Sequence, residues 1–450
     1  MRKVLYFLDT LRKVRPLPST DTLASTSTTK EIFQPCGGQP ASEANDSGTK
    51  CNAPDSRCGR PGSDLLWENL KRVLLMCRGY REPQAAIANF ENKEVLVDVL
   101  EAQRFVRDVF AAMDVPHEAA GEMADALIAA DYMGQRSMGI HQLPAITVDL
   151  HNLTIDPHMQ PKVLSERDAL ALVDGQNAPG PVVANYCMDL AMDKARKQGL
   201  GYVAACRSNS IGLESWYASQ ALSHRLIGIC MSNGPATLVP NGGVEPLLGR
   251  NSIACAAGST REQLLMEVGM SAYPIEQLEL EYSNGYLHDL PDNVALNCHG
   301  MPTTCIVEAL RAQRLRAFTP EHKGFGLAAM VDILCGVMTG ARYASQLRRR
   351  GLFSWEREQA DLGQVYIAID PMRFCVSFEE RLADFHQLLR SVIPCDPAQP
   401  PWLPGDKELQ HMQMVDDQGG IPLLPCTVSI LQDLSDRFNI EPLRINNISK

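Results

Sequence analysis

From Val163 to Ala257 short apolar runs alternate with helical stretches, and this alternation narrows the fold more than any other feature of the chain. Leu170 to Val173, ending in the turn pair Asp174-Gly175, then Gly201 to Ala205 and Leu226 to Met231 read as strands. Val182 to Gln198 and Leu213 to Ser223, between them, read as helices. Strand, helix, strand order argues for an α/β layer. After Pro320 the pattern predicts a buried helix over Gly326 to Thr339, a strand over Gln364 to Asp370 and a helix over Phe378 to Leu389. Upstream, Ala102, Phe105, Val106, Val109, Phe110 and Met113 recur on one helical face. A second helix opens at Pro116, carries Glu118 and Glu122 near its positive end and runs to Ala130, so two antiparallel helices should begin the folded body. No internal repeat is present in the sequence.

Residues 1–95 read differently, as an N-terminal extension that is largely flexible linker. Met1 to Arg15 holds Arg2, Lys3, Arg12, Lys13 and Arg15 against Asp9, with Val4, Leu5, Phe7, Leu8 and Leu11 at near-helical spacing, as in a mitochondrial targeting segment. No cleavage signal follows it, so the expected location is cytoplasmic, with mitochondrial the alternative. Ser19 to Ser63 is rich in Ser, Thr, Gly and Pro and cannot repay ordering entropy, and Leu65 to Arg78 is a short helical patch. The 42 Lys and Arg against 53 Asp and Glu give a net charge of −11, which speaks against a nucleic-acid partner. The longest apolar helix candidate, Leu327 to Ala341, is broken by Asp332 and falls short of the ~20 residues of a bilayer span, so no membrane partner is expected. The 14 cysteines never form C-x-x-C or sit beside His in ligand spacing, and read as free thiols in a reducing compartment, with no metal site.

A phosphate cradle is the obvious motif to seek. Gly324-Phe325-Gly326-Leu327-Ala328-Ala329 matches G-x-G-x-x-A, yet the preceding Arg311 to Lys323 is charged and contains Pro320, so no buried strand feeds it as a Rossmann site requires. The P-loop and H-E-x-x-H patterns do not occur. What remains is a series of polar loops punctuated by Gly and Pro: Asp174 to Gly180, Ser208 to Gly212, Pro240 to Pro246, Pro302 to Thr304 and His322 to Gly324. Singly each is a turn; together they suggest a ligand cleft built from loops.

At these residues the chain resembles the malate/L-lactate dehydrogenase superfamily, which includes sulfolactate, ureidoglycolate and diketogulonate oxidoreductases. The similarity runs from about Val99 to Leu443. It is carried by His322-Lys323-Gly324-Phe325-Gly326-Leu327, Asp332 to Val337, Gly363-Gln364 to Pro371, Phe378-Glu379-Glu380-Arg381-Leu382, Pro404-Gly405-Asp406 and Gly419-Gly420-Ile421-Pro422. The resemblance implies an α/β homodimer. Each subunit would have a non-Rossmann dinucleotide-binding domain of mixed β-sheet (166–319) inserted in a helical substrate domain built from both chain ends (96–165 with 320–445). It also implies NAD or NADP as cofactor and hydride exchange with a small 2-hydroxy acid or related CH–OH compound. Carried over by position, the cofactor contacts are Val268, Gly269, Met270, Ser271 and Ala272 on a strand, His322 and Lys323, and Gly405, Asp406 and Lys407.

The catalytic positions depart from the family. Oxidising an alcohol needs a base for the hydroxyl proton and, for a hydroxy acid, a cation for the carboxylate; the family uses histidines and an arginine. Where it reads S-H-G-I-x-R-L-P, this chain has Ser137-Met138-Gly139-Ile140-His141-Gln142-Leu143-Pro144, with Met138 for histidine and Gln142 for arginine. The second histidine is replaced by Ser210, the aspartate of L-D-M by Gly269, the threonine of G-T-N-P by Arg250, and a G-K pair by Glu276-Gln277. A substitute is geometrically open: on a helix His141 would lie one turn from Met138, about 5 Å away, with Arg136 as carboxylate anchor. Two readings follow. One is an NAD(P)-dependent oxidoreductase with altered substrate class, and the other a catalytically silent dimeric relative that keeps the fold, with or without dinucleotide binding.

Overall fold

The computed structural model describes residues 94–445, apart from 259–262, 286–288, 352–353, 356 and 397–400. The expected linker, targeting segment and Leu65 to Arg78 helix lie outside the described residues. The body begins with a short strand, Val95–Val97, paired antiparallel with Ile421–Leu423, which ties the two ends of the described chain together. Helix α1 (Val99–Ala112) starts where the Asp98 carboxylate accepts the N–H groups of Leu100 and Glu101, a capping arrangement that satisfies otherwise unpaired donors. It packs on α2 (His117–Tyr132), and α3 (Leu143–His151) follows.

Seven strands form the central sheet: β1 (Lys162–Arg167), β2 (Leu170–Asp174), β3 (Leu200–Ser208), β4 (Ile227–Ser232), β5 (Ile253–Gly258), β6 (Gln263–Val268) and β7 (Leu362–Ile369). Their spatial order is β1-β2-β3-β7-β4-β5-β6. Helix α4 (Gly180–Gln198) crosses between the parallel neighbours β2 and β3; the other pairings are antiparallel. Helix α5 (Glu214–Gln220) then carries the chain to β4, leaving one strand position open beside β3. Strand β7, from far along the sequence, fills that position and pairs on both edges. The domain ranges expected from sequence put 362–369 with the helical part; in the fold this segment is the middle of the sheet.

The two faces of the sheet are read by alternation along each strand. On one face Val203, Ala205, Tyr366 and Ala368 join Phe105, Ile128, Met188 and Tyr217 from α1, α2, α4 and α5. On the other, Ala204 and Val365 join Leu278 from α6 (Ile275–Ser283), Leu310 from α7 (Ile306–Ala312) and Val331 from α8 (Glu321–Asp332). Gly201 lets α4 sit close on β3, since a Cβ there would lie 1.9 Å from the Ala191 carbonyl oxygen.

The α/β, non-Rossmann class expected from the sequence is the class observed. The helix expected over Gly326 to Thr339 needs correction: it begins at Glu321, behind Pro320, and its tail Ile333–Val337 is π-helical. It is buried along one stripe, through Ala328, Val331 and Cys335, while Leu327, Met330, Ile333, Val337 and Met338 are exposed. Gly324 and Gly326 lie inside this helix and make no phosphate-binding turn. The ten described cysteines are free thiols. Among the described residues no helix is long and apolar enough to cross a membrane.

Candidate active site

The chain from Arg136 to Gln142 is two successive 3-10 turns, Arg136–Met138 and Ile140–Gln142, separated by Gly139. Gly139 is required because the Asp131 carboxylate lies directly beneath it; a Cβ would fall 2.2 Å from Asp131 Oδ1. Asp131 Oδ2 accepts the Ile140 N–H at 2.6 Å and so anchors the second turn. Burial pushes the Asp131 carboxyl up to about 7, against the pull of that N–H and of Arg136. The break at Gly139 means that Met138 and His141 do not share an α-helical face, contrary to the spacing expected from sequence. His141 and Arg136 instead line one small cavity with Asp131, Leu280, Leu424 and Thr427. Arg136 is paired with Glu94 at 2.6 Å, and Gln142 donates to the Ser137 carbonyl at 2.8 Å. His141 Nδ1 has no hydrogen-bond partner, and desolvation lowers the imidazole to about 4, leaving it neutral at pH 7.

Ser210 sits on the loop after β3 and is exposed. Its backbone is fixed from three sides. Asn209 Nδ2 donates to the Asn177 and Ala178 carbonyls at 3.2 and 2.9 Å, Gln364 donates to the Asn209 carbonyl at 2.8 Å, and Tyr217 donates to the Ile211 carbonyl at 2.9 Å. Gly180, at the start of α4, packs so closely that a Cβ would lie 2.1 Å from the Ser210 carbonyl oxygen.

Of the cofactor positions, Val268 ends β6, and the strand expected to continue through Ala272 leaves the ladder there. The backbone finds other partners: the Met270 N–H donates to the Arg250 carbonyl at 2.7 Å and the Ala272 N–H to the Arg316 carbonyl at 2.8 Å. Ser271 bridges Ala317, which brings this segment beside the start of α8. His322 and Lys323 are exposed in the first turn of that helix. Gly405 packs against the Leu265 backbone, and the Leu265 N–H donates to the Pro404 carbonyl at 3.2 Å. Asp406 is buried and engaged by Arg390 at 2.9 Å, whereas Lys407 is exposed. The fold thus strings the three groups along β6 and its continuation.

Two groups that sequence reasoning missed complete the region. Glu214, at the start of α5, and Glu267, on β6, gather around Arg250 together with Glu276. Glu267 accepts the Ser215 N–H at 2.9 Å and the Arg250 guanidinium at 3.2 Å. Burial first, and then repulsion from Glu267, raise the Glu214 carboxyl to about 8 despite Arg250. Burial opposes the charge of Arg250, and the three carboxyl groups more than compensate, raising its pKa. The signal for Glu214 was a lone acid within the apolar run Ile211 to Tyr217.

The mixed seven-stranded sheet with helices on both faces is a non-Rossmann α/β fold. The malate/L-lactate dehydrogenase family model matches residues 97–432, and the chain belongs to this family. It is 29% identical over 347 residues to a malate dehydrogenase of Pyrococcus horikoshii, covering 75% of this chain and 94% of that protein. It is 30% identical over 313 residues to the L-sulfolactate dehydrogenase of Methanothermobacter thermautotrophicus, covering 70% and 89%. Among solved structures, the sulfolactate dehydrogenase of Methanocaldococcus jannaschii superposes with a TM-score of 0.69 at 25% identity, covering 77% of this chain and 98% of that one.

Proposed function

We propose that this chain is an NAD(P)-dependent oxidoreductase acting on a 2-hydroxy acid or a related small CH–OH compound, with a degenerate set of catalytic residues. The family match over 97–432 carries this reading. Ser271, His322, Lys323 and Lys407 are the side chains that would hold the dinucleotide. Ser271 Oγ is buried without a partner, and the two exposed cations suit phosphate or ribose oxygens. Bound there, the dinucleotide supplies the hydride acceptor. Met138 and Ser210 offer no base at neutral pH, so the proton falls to His141, which lines the same cavity as Arg136 and whose buried Nδ1 has no hydrogen-bond partner. The exposed apolar residues of α8 and the π-helical turn after it, from Leu327 to Met338, support a homodimer.

The second reading, a silent relative that keeps the fold, is favoured by two observations: Arg136 is engaged by Glu94, and burial makes His141 a weak base. Fluorescence titration with NADH and NADPH tests the cofactor site; absence of saturable binding removes the oxidoreductase and the silent relative that binds dinucleotide, leaving a relative that keeps the fold alone. A turnover screen with malate, lactate and their keto acids separates them. Activity that survives His141→Ala unchanged eliminates His141 as the base.

A further inference from the structure

The cavity that His141 and Arg136 share is walled in part by Pro422 and Leu423, from the strand Ile421–Leu423. That strand pairs with Val95–Val97, and Glu94 stands one residue before the pairing begins. The two-stranded ribbon therefore sets where Glu94 can reach, and its Oε1 meets Arg136 Nη1 at 2.6 Å. Glu94 does not itself line the cavity. The charge of Arg136 is thus spent on a carboxylate outside the lining, while His141, inside it, keeps a buried Nδ1 without a partner. The space left is about 10 Å³, room for one water and not for a substrate.

We propose that Glu94 is an autoinhibitory carboxylate: it holds Arg136 in a closed conformation, and a ligand carboxylate enters by displacing it. The exchange conserves ion pairs, since Arg136 passes from one carboxylate to another and Glu94 returns to water. The Arg136 and Glu94 side chains are 26% and 45% exposed, and an ion pair so open to solvent contributes little that a better-placed partner cannot match. The buried pair of Arg348 with Asp149, 5% and 1% exposed, could not be traded in this way, because breaking it strands a charge away from water. Because the Val95–Val97 pairing presents Glu94 to the arginine, the contact is made only while that strand is seated. The inference deepens the proposed oxidoreductase function and rests on it for one premise, that Arg136 is the carboxylate anchor.

Isothermal titration calorimetry of the full chain with malate and with lactate, near neutral pH and at low salt, tests it. Glu94→Gln and Glu94→Ala should each bind at least one of the two acids about tenfold or more tightly than the wild type does. Adding Arg136→Gln to Glu94→Gln should abolish that gain. Glu441→Gln, on the exposed pair with Arg444, should bind both acids as the wild type does. Affinity for both acids unchanged by the two Glu94 variants, or a gain that survives Arg136→Gln, overturns the proposal. An NADH titration of the same proteins keeps the two proposals apart. A gain in acid binding without NADH binding removes the oxidoreductase and leaves the Glu94 contact as an inhibitory one; NADH binding with no gain removes the inhibitory contact and leaves the oxidoreductase.

Discussion

The Arg250 side chain occupies the space that any side chain on Gly269 would need: a Cβ there would lie 2.1 Å from Nε and 2.7 Å from Cγ. The two positions therefore share one packing space. Gly269→Ala should destabilise the protein by ~1–3 kcal/mol through overpacking. Combined with Arg250→Ala the penalty should shrink, giving a coupling energy of ~0.5–3 kcal/mol in a double-mutant cycle read by urea unfolding. Independent, additive effects would show that the residues do not share the space.

Glu214 predicts a pH dependence. Its carboxyl is raised from 4.5 to about 8 in the folded state, so the folded chain holds a proton that the unfolded chain releases. Stability from this group is fully present below pH ~4.5 and is lost as pH rises through ~8, with a limiting slope of ~1.4 kcal/mol per pH unit. Glu214→Gln should flatten that decline, so the variant gains on the wild type as the buffer becomes alkaline in thermal melts. Parallel curves across this range would refute the assignment.

His141 acts with the opposite sign. Burial lowers its pKa from 6.5 to about 4, so the unfolded chain takes up a proton that the folded chain refuses. Stability should fall as pH drops from ~6.5 to ~4, and His141→Phe should remove that part of the acid sensitivity. Thermal melts of the two proteins at matched pH values provide the comparison.

The turn carrying Met138, His141 and Gln142 hangs on Asp131. Asp131→Ala leaves the buried Ile140 N–H without its acceptor and should cost ~1–3 kcal/mol, whereas Asp131→Asn retains an acceptor oxygen and should cost less. Guanidinium unfolding of both variants distinguishes them.

Gly180 holds the Ser210 loop in the same way. Because the obstructing atom is a backbone oxygen held by neighbouring hydrogen bonds, Gly180→Ala should cost ~1–3 kcal/mol or more. A variant as stable as wild type would mean that the loop moves freely.

Much of the fold was legible because its signals are local. The short apolar run from Gly201 to Ala205 marked β3, and the apolar spacing from Ala102 to Met113 marked α1. The strand at Gln364 was also expected, but not its place between β3 and β4, since a pairing across more than a hundred residues leaves no local trace. The His322 to Leu327 motif pointed to the family, yet its helix was started too late because charged residues in the first turn hide the apolar period. At the site, Met138, Gln142, Ser210, Gly269 and Arg250 could be read only one position at a time. That it fills the Gly269 space and draws in Glu214 and Glu267 was not visible, because these residues come from separate strands and loops.

Strand β7 also sets an order of events during synthesis. Until the ribosome has released the chain through Ile369, β3 and β4 each present an unpaired edge to their surroundings, and no shorter nascent fragment can close the sheet as it is found here. The protein therefore commits to its native topology late, and a stop codon anywhere upstream of Leu362 would yield two half-sheets with sticky inner borders rather than a smaller working domain.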